Sequence, residues 1–304
     1  MDGASRALLE LGRALRGVDY HFVTVTPATH QRINRRRPVL APSLRDIFGW
    51  SRPFGAAALP GSMRDLLEAA GALVESEEGY RSAVRFSSLA AHLFVHSAYP
   101  TVDPAAVFFG PDTYRFSSML LARAPACSTC IVDVGCGSGA GGILLAARGQ
   151  RVILTDVNEE ALRLARVNVA LAGVDNVETV RADVLAGIEG GIDLIISNPP
   201  YMADPKRRAY RDGGGTLGEA LSVRIVVESL GRLRPGGRLL LYTGTPVVEG
   251  RDVFRDAVGP ALASGAVTFE YAEIDPDVFG EELDRPGYAT VERIAAVRLD
   301  AVRR

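Results

Sequence analysis

From about residue 104 onward, short apolar runs recur along the chain at regular spacing. Residues 130–135 (CIVDVG), 151–155 (RVILT), 177–182 (VETVRA), 192–197 (IDLIIS) and 238–242 (RLLLY) are brief segments rich in Val, Ile and Leu. Runs of this length and composition read as strands buried on both faces. Between them, 140–148, 158–172 and 218–233 repeat apolar positions at helical spacing, and another helix fits 249–263. Strands alternating with helices predict a doubly wound α/β fold, a mostly parallel sheet covered on both sides. Two further runs, 267–274 and 290–299, are joined by a stretch without helical pattern, which predicts an antiparallel hairpin at one sheet edge.

Ahead of residue 104 the texture differs. Residues 1–17 form an amphipathic helical pattern dotted with arginine, without the apolar core of a secretory signal. Segments 43–48 and 62–73 read as short helices with Ser43 and Ser62 as N-cap candidates. Segments 72–77 and 81–87 read as strands around Glu78-Gly79, and 92–96 as a strand or short helix. Helix, helix, hairpin is the order of a winged-helix module. The expected division is a smaller N-terminal α+β domain over 1–104, of winged-helix type, and the α/β domain over 105–304.

Composition adds limits. Of 304 residues, 47% are hydrophobic and 23% charged, which excludes a disordered or collagen-like chain. The net charge of −2 excludes a bulk binder of polyanions. No stretch approaches the ~18 apolar residues of a membrane span, and three cysteines are too few for a disulfide framework. A cytoplasmic setting is the expectation. The charge is uneven, however: residues 1–60 carry nine arginines against four acids, with Arg32, Arg35, Arg36 and Arg37 running up to Pro38. Such a run is either a phosphate-tracking arm or a solvated helix end.

The sharpest chemical signal is Asp133-Val134-Gly135-Cys136-Gly137-Ser138-Gly139-Ala140, which follows a strand and opens a helix. Glycines there let the backbone turn tightly and lie against a ligand. Asp156, at the end of the next strand, can accept ribose hydroxyls, and Asp183, after the third, an adenine amino group. Val157 and Val184 follow these acids. A pyrophosphate on this loop would sit beside Asp133, which is repulsive. S-adenosylmethionine carries no phosphate and is a net cation, so the charge pattern favours it over a nicotinamide dinucleotide.

On these motifs the region from about residue 105 to 304 resembles the class I S-adenosylmethionine-dependent methyltransferases. The resemblance implies a seven-strand Rossmann-like sheet whose last strand is antiparallel. The segment FFGPDTYRF (108–116) resembles the one that borders the methionine end of the cofactor in the nitrogen-methylating branch, which implies roles for Phe109, Asp112 and Thr113.

Asn198-Pro199-Pro200-Tyr201 follows the fourth strand directly. Two prolines fix φ and remove two N–H donors, so the corner offers carbonyls without competing amide hydrogens. Methylating a planar NH2 group needs such acceptors, because its delocalised lone pair must be localised and aimed. Asn198 Oδ1 and the Pro199 carbonyl suit the two N–H groups, and Tyr201 suits stacking. In methyltransferases this tetrapeptide implies nitrogen methylation, of glutamine amides or of base amines. The glycine run Gly213, Gly214, Gly215 before Leu217 is similar to the release-factor glutamine methyltransferases, whereas the N-terminal part and GPDTYR depart from them. The preferred acceptor is therefore a glutamine-bearing protein. Nucleic-acid base amines come second and a small-molecule amine or amide third. The reading from another class is a non-catalytic winged-helix protein that senses S-adenosylmethionine.

Residues 202–217 lack periodicity and carry Lys206, Arg207, Arg208 and Arg211, as a mobile lip over the acceptor site would. Other signals are discounted. His92 and His96 have the spacing of a helical zinc pair but no third ligand, and Cys127 and Cys130 form a lone C-x-x-C, so no metal is expected. Asp275, Asp277, Glu281, Glu282 and Asp284 read as a solvated acidic turn.

Overall fold

The computed structural model describes residues 1–36, 40–263 and 265–304. Arg37 and Pro38 of the basic run lie outside the described residues. Helix α1 (Gly3–Gly17) is capped by Asp2, whose carboxylate accepts the Ser5 amide at 2.8 Å. Its Leu8, Leu11 and Leu15 share one buried stripe. Helix α2 (Pro27–Arg35) starts with proline at its first turn and Thr26 as N-cap, so Arg32 and Arg35 of the basic run are helical and Arg36 is the C-cap. Helices α3 (Leu44–Phe48) and α4 (Gly61–Ala69) occupy the expected places.

Strands β1 (Leu73–Ser76) and β2 (Gly79–Ser82) pair as a hairpin, extended by a bridge from Phe54 to Tyr80. The expected strand 81–87 is broken at Ala83. There the Ser82 hydroxyl bonds both to the Val84 carbonyl and to its amide, turning the chain into a second hairpin, β3 (Val84–Leu89) and β4 (His92–Ser97). His92 and His96 thus lie on a strand. His96 is buried, bonded to the Ser87 hydroxyl at 2.8 Å and stacked on Phe109.

The remaining elements are α5 (Pro111–Arg123), β5 (Ser128–Val134), α6 (Ala140–Leu144), β6 (Gly149–Asp156), α7 (Glu159–Ala172), β7 (Val177–Arg181), β8 (Ile192–Ser197), α8 (Ala220–Arg232), β9 (Leu233–Val248), β10 (Arg251–Asp252), α9 (Val253–Leu262), β11 (Val267–Asp275) and β12 (Arg293–Arg303). The sheet runs β7-β6-β5-β8-β9-β12-β11, with β10 appended to β9. Strands β5 to β9 are mutually parallel, and β12 is antiparallel to both its neighbours. The last pair is more than an edge hairpin: β12 inserts between β9 and β11, leaving β11 at the edge. Strand order reverses at β5, which opens a crevice at the carboxyl ends of β5, β6 and β8. Helix α6 is shorter than expected and continues as a 3-10 turn over Ala146–Arg148. It lies so close to the sheet that a Cβ on Gly142 would meet the Leu154 side chain at 2.3 Å.

The N-terminal elements pack directly on the sheet's helical layer. Leu8, Leu11, Phe86 and Val95 share one core with Ala161, Leu164, Val167 and Leu171 of α7. Buried Asn168 of α7 bonds the Val95 amide (2.8 Å) and carbonyl (3.0 Å), and also the Ser138 carbonyl in the glycine loop (2.9 Å). Among the described residues, no helix is long and apolar enough to cross a membrane.

Candidate active site

A cavity of about 250 Å³ opens at the carboxyl ends of β5, β6 and β8. The glycine loop forms its floor. Gly135 and Gly137 have φ of 67° and 53°, a region side-chain-bearing residues rarely adopt, and open space lies where each Cβ would stand. The Gly137 amide donates to Asp156 Oδ2 at 3.0 Å, and the Asn158 amide to its Oδ1 at 2.9 Å. Each oxygen keeps a second lone pair for a ligand hydroxyl. Val157 and Val184 line the walls. Asp133 is buried and accepts the Gly142 amide at 2.8 Å. Burial, opposed by that N–H and aided by the Asp156 charge, pushes its carboxyl up to about 7. Burial also raises Asp156 above its ordinary value. Asp183 lines the cavity while paired with Arg224 at 2.8 Å.

Four carboxylates therefore line the cavity: Asp112, Asp133, Asp156 and Asp183. The one cationic side chain among the described lining residues, Arg211, is paired with Glu282 at 2.5 Å. The lining is acidic, with Asp112 offset by Arg115 and Asp183 by Arg224. It suits a cationic ligand with hydroxyl groups and opposes a phosphate.

Asn198, Pro199, Pro200 and Tyr201 reach the same cavity from the end of β8. Ser197 ties that end to β5 by donating to the Val134 carbonyl at 2.7 Å. The half-buried Asn198 side chain makes no hydrogen bond among the described residues, leaving its amide free to meet a ligand.

Several expectations need correction. Tyr201 is not a free stacking platform. It is buried, its phenol donates to Asp112, and its ring packs so tightly on β9 that a Cβ on Gly244 would lie 2.1 Å from Cε2. Asp112 lines the cavity but also receives the Tyr242 phenol at 2.8 Å and Arg115 at 3.0 Å. Thr113 lines the cavity and accepts the Gly110 amide at 3.2 Å, closing the first turn of α5. Phe109 does not line the cavity, because its ring turns away into Phe94 and His96; Phe108 lines it instead. Gly139 also lies off the cavity, facing Leu154 and Ile143 as the left-handed N-cap of α6. Cys136 lines it as expected, and burial holds its thiol well above the ordinary value.

The lip is folded rather than loose. Met202 bridges to Asp212, Arg208 pairs with Asp204 at 2.7 Å, and the Tyr210 phenol donates to the Thr101 carbonyl at 2.7 Å. Tyr210 and Phe108 face each other at the mouth with centroids 6.4 Å apart and planes at 11°. The acidic turn is not simply solvated either: Glu282 is buried against Arg211, and Asp275 pairs with Arg115 at 2.8 Å. Phe108, Tyr210 and Phe279 are lining residues that sequence reasoning missed. Adjacent aromatics and a lone tyrosine in a basic loop do not declare which way they face. Among the described residues, no cluster of His, Cys, Asp and Glu is arranged to hold a metal.

Comparison with known proteins agrees with this geometry. Residues 101–248 match the family described as methyltransferase small domain. The release factor glutamine methyltransferase of Deinococcus radiodurans is 39% identical over 165 residues, covering 50% of this chain and 55% of that protein. The ribosomal RNA small subunit methyltransferase C of Aeromonas hydrophila is 40% identical over 102 residues, covering 33% and 30%. The chain thus spans about half the length of the first relative and less of the second. The solved structure of Methanocaldococcus jannaschii Trm5 in complex with adenosine superposes with a TM-score of 0.52 at 14% identity, covering 82% of this chain and 69% of that one, a likeness of fold. With its sheet order and its Asn-Pro-Pro-Tyr corner, the matched segment has the fold of a methyltransferase domain and is similar to those of the release factor glutamine methyltransferases.

Proposed function

We propose that the chain is an S-adenosylmethionine-dependent methyltransferase that acts on a planar NH2 nitrogen. The observation that carries the reading is the meeting of two features in one acid-lined cavity: a glycine loop with paired acids, and a proline corner whose asparagine amide is free. Gly135, Gly137, Asp133 and Asp156 would hold the cofactor, with Asp183 at its adenine end. When bound, the cofactor supplies an electrophilic methyl group on a cationic sulfur.

The chain's own residues supply alignment. Asn198 Oδ1 and the Pro199 carbonyl accept the two N–H hydrogens of the acceptor, which localises the nitrogen lone pair and aims it. Pro199 and Pro200 hold the corner rigid. Orientation of this kind contributes several kcal/mol to the barrier. The neutral amide acquires charge only as the C–N bond forms and the methyl–sulfur bond breaks; the acidic lining stabilises that charge until one N–H proton is lost to solvent.

The glutamine side-chain amide of a protein is the acceptor best supported by the relatives, with residues 1–104 selecting it. A base amine is a second reading, favoured by the near-parallel rings of Phe108 and Tyr210 at the mouth. The test is transfer of labelled methyl from the cofactor into an extract separated into protein, RNA and small molecules. Asn198→Ala should abolish transfer while calorimetry shows unchanged cofactor binding. Equal loss of both rejects the role given to Asn198.

A further inference from the structure

The cavity lining is acidic and its rim basic. Most cationic side chains among the described residues have a partner: Arg13 has Glu10, Arg16 the Leu171 carbonyl, Arg64 the Tyr80 ring and Arg166 the Thr179 hydroxyl. The exceptions are Arg32, Arg35, Arg36, Lys206 and Arg207, all exposed. Arg35 on α2 and Arg36 at its C-cap, still in helical conformation, stand three and four residues after Arg32, hence on one face. Like charges so placed repel by a few tenths of a kcal/mol per pair. The helix dipole offsets part of that for the last turn of α2, but it does nothing for Lys206 and Arg207 on the lip.

A chain of contacts links the element carrying each basic group to the cavity lining. Gln31 of α2 donates to the Tyr99 phenol at 2.9 Å, and His30 packs its ring 4.2 Å from the Tyr99 ring. Two residues on, the Thr101 carbonyl accepts from Tyr210, which lines the mouth on the same lip as Lys206 and Arg207. The half-buried rings of Phe108 and Tyr210 line the cavity beside this chain of contacts.

We propose that this rim is a docking surface for single-stranded nucleic acid. Phosphates lie along Arg32, Arg35 and Arg36 and at Lys206 and Arg207, and bases meet the rings at the mouth. The strand is single because a base held in a duplex cannot reach an interior corner. The inference rests on the base-amine form of the methyl-transfer reading, the second of the two acceptors given above, and a protein glutamine as acceptor would leave this rim without RNA.

The test is fluorescence anisotropy of the full chain with a labelled single-stranded RNA of about 20 nucleotides, a few times the smallest single-strand site sizes. Affinity should fall roughly 100-fold between about 50 and about 200 mM salt, as about five phosphate contacts require. The triple variant R32E/R35E/R36E and the double variant K206E/R207E should each weaken binding at least about 10-fold and flatten the salt dependence. R6E/R13E on α1 should not. Thermal melts check that each variant is folded. Absence of RNA binding at the lower salt overturns the proposal, as do reversals that leave affinity unchanged, or a duplex bound as tightly as the single strand. A polyglutamate chain competing as well as unlabelled RNA would assign the rim to an acidic protein instead. Cofactor calorimetry on the same samples is a separate reading: its failure counts against methyl transfer, not against docking.

Discussion

The Tyr201 phenol donates to Asp112, tying the proline corner to the first turn of α5. Tyr242 on β9 and Arg115 donate to the same carboxylate, and Arg115 passes the chain of bonds on to Asp275. Asp112 is a positioning residue: it holds the corner through Tyr201. Burial and the nearby carboxylate keep both phenols well above their ordinary range, so they stay donors across the working pH. Tyr201→Phe should lower kcat about 10-fold with little change in cofactor affinity, the cost of a slightly misplaced corner. Asp112→Ala strands two buried phenols and should cost about 2–4 kcal/mol in urea unfolding.

Asp133 gives the site a pH dependence. Its carboxyl titrates near 7 because of burial first and the Asp156 charge in addition. A cationic ligand beside it favours the ionised form, so binding releases a proton. Cofactor affinity should therefore rise with pH up to about 7 and level off above, and calorimetry in buffers of different ionisation enthalpy should detect the release. The stability effect has the opposite sign. A carboxyl whose folded pKa is raised contributes stability that is present in acid and lost as pH rises through the folded value. Asp133→Asn should stabilise the ligand-free chain at pH 8 more than at pH 5, in melts at the two pH values.

Gly244 allows the Tyr201 ring to lie on β9. Its Cβ would overlap that ring, and β9 is a central strand that has no room to give. Gly244→Ala should cost about 1–3 kcal/mol and most of the transfer rate. In a Tyr201→Ala background the same change should cost much less. Urea unfolding of the two single variants and the double variant measures the coupling.

Asn168 connects the N-terminal hairpin to the glycine loop. Asn168→Ala leaves the Val95 amide and carbonyl and the Ser138 carbonyl without their partner. The expected loss is about 2–4 kcal/mol of stability, with weaker cofactor binding because Ser138 sits in the loop. Paired unfolding and calorimetric titration check both effects.

The sheet strands and α7, α8 and α9 were legible because apolar runs of strand length alternate with helical periodicity. Asp133, Gly135, Gly137, Asp156 and the proline corner were legible because type, order and position at strand ends coincide. Side-chain direction was not. Phe108 and Phe109 are neighbours that face opposite ways, and only the packing of His96 and Phe94 decides which is core. Tyr201 reads as a stacking group until β9, far along the chain, supplies Gly244 and Tyr242. The lip reads as loose because its ties to Thr101, Glu282 and Asp204 have no periodicity. The β3–β4 hairpin was hidden because one serine hydroxyl, not a glycine turn, breaks the run at Ala83.

The leucine seam between α1 and α7 makes the front third of the chain a poor candidate for exchange. A replacement module would have to rebuild half of a buried interior and bring its own strap to the glycine loop. Changes in the front third that disturb this seam will be inherited together with compensating changes on α7.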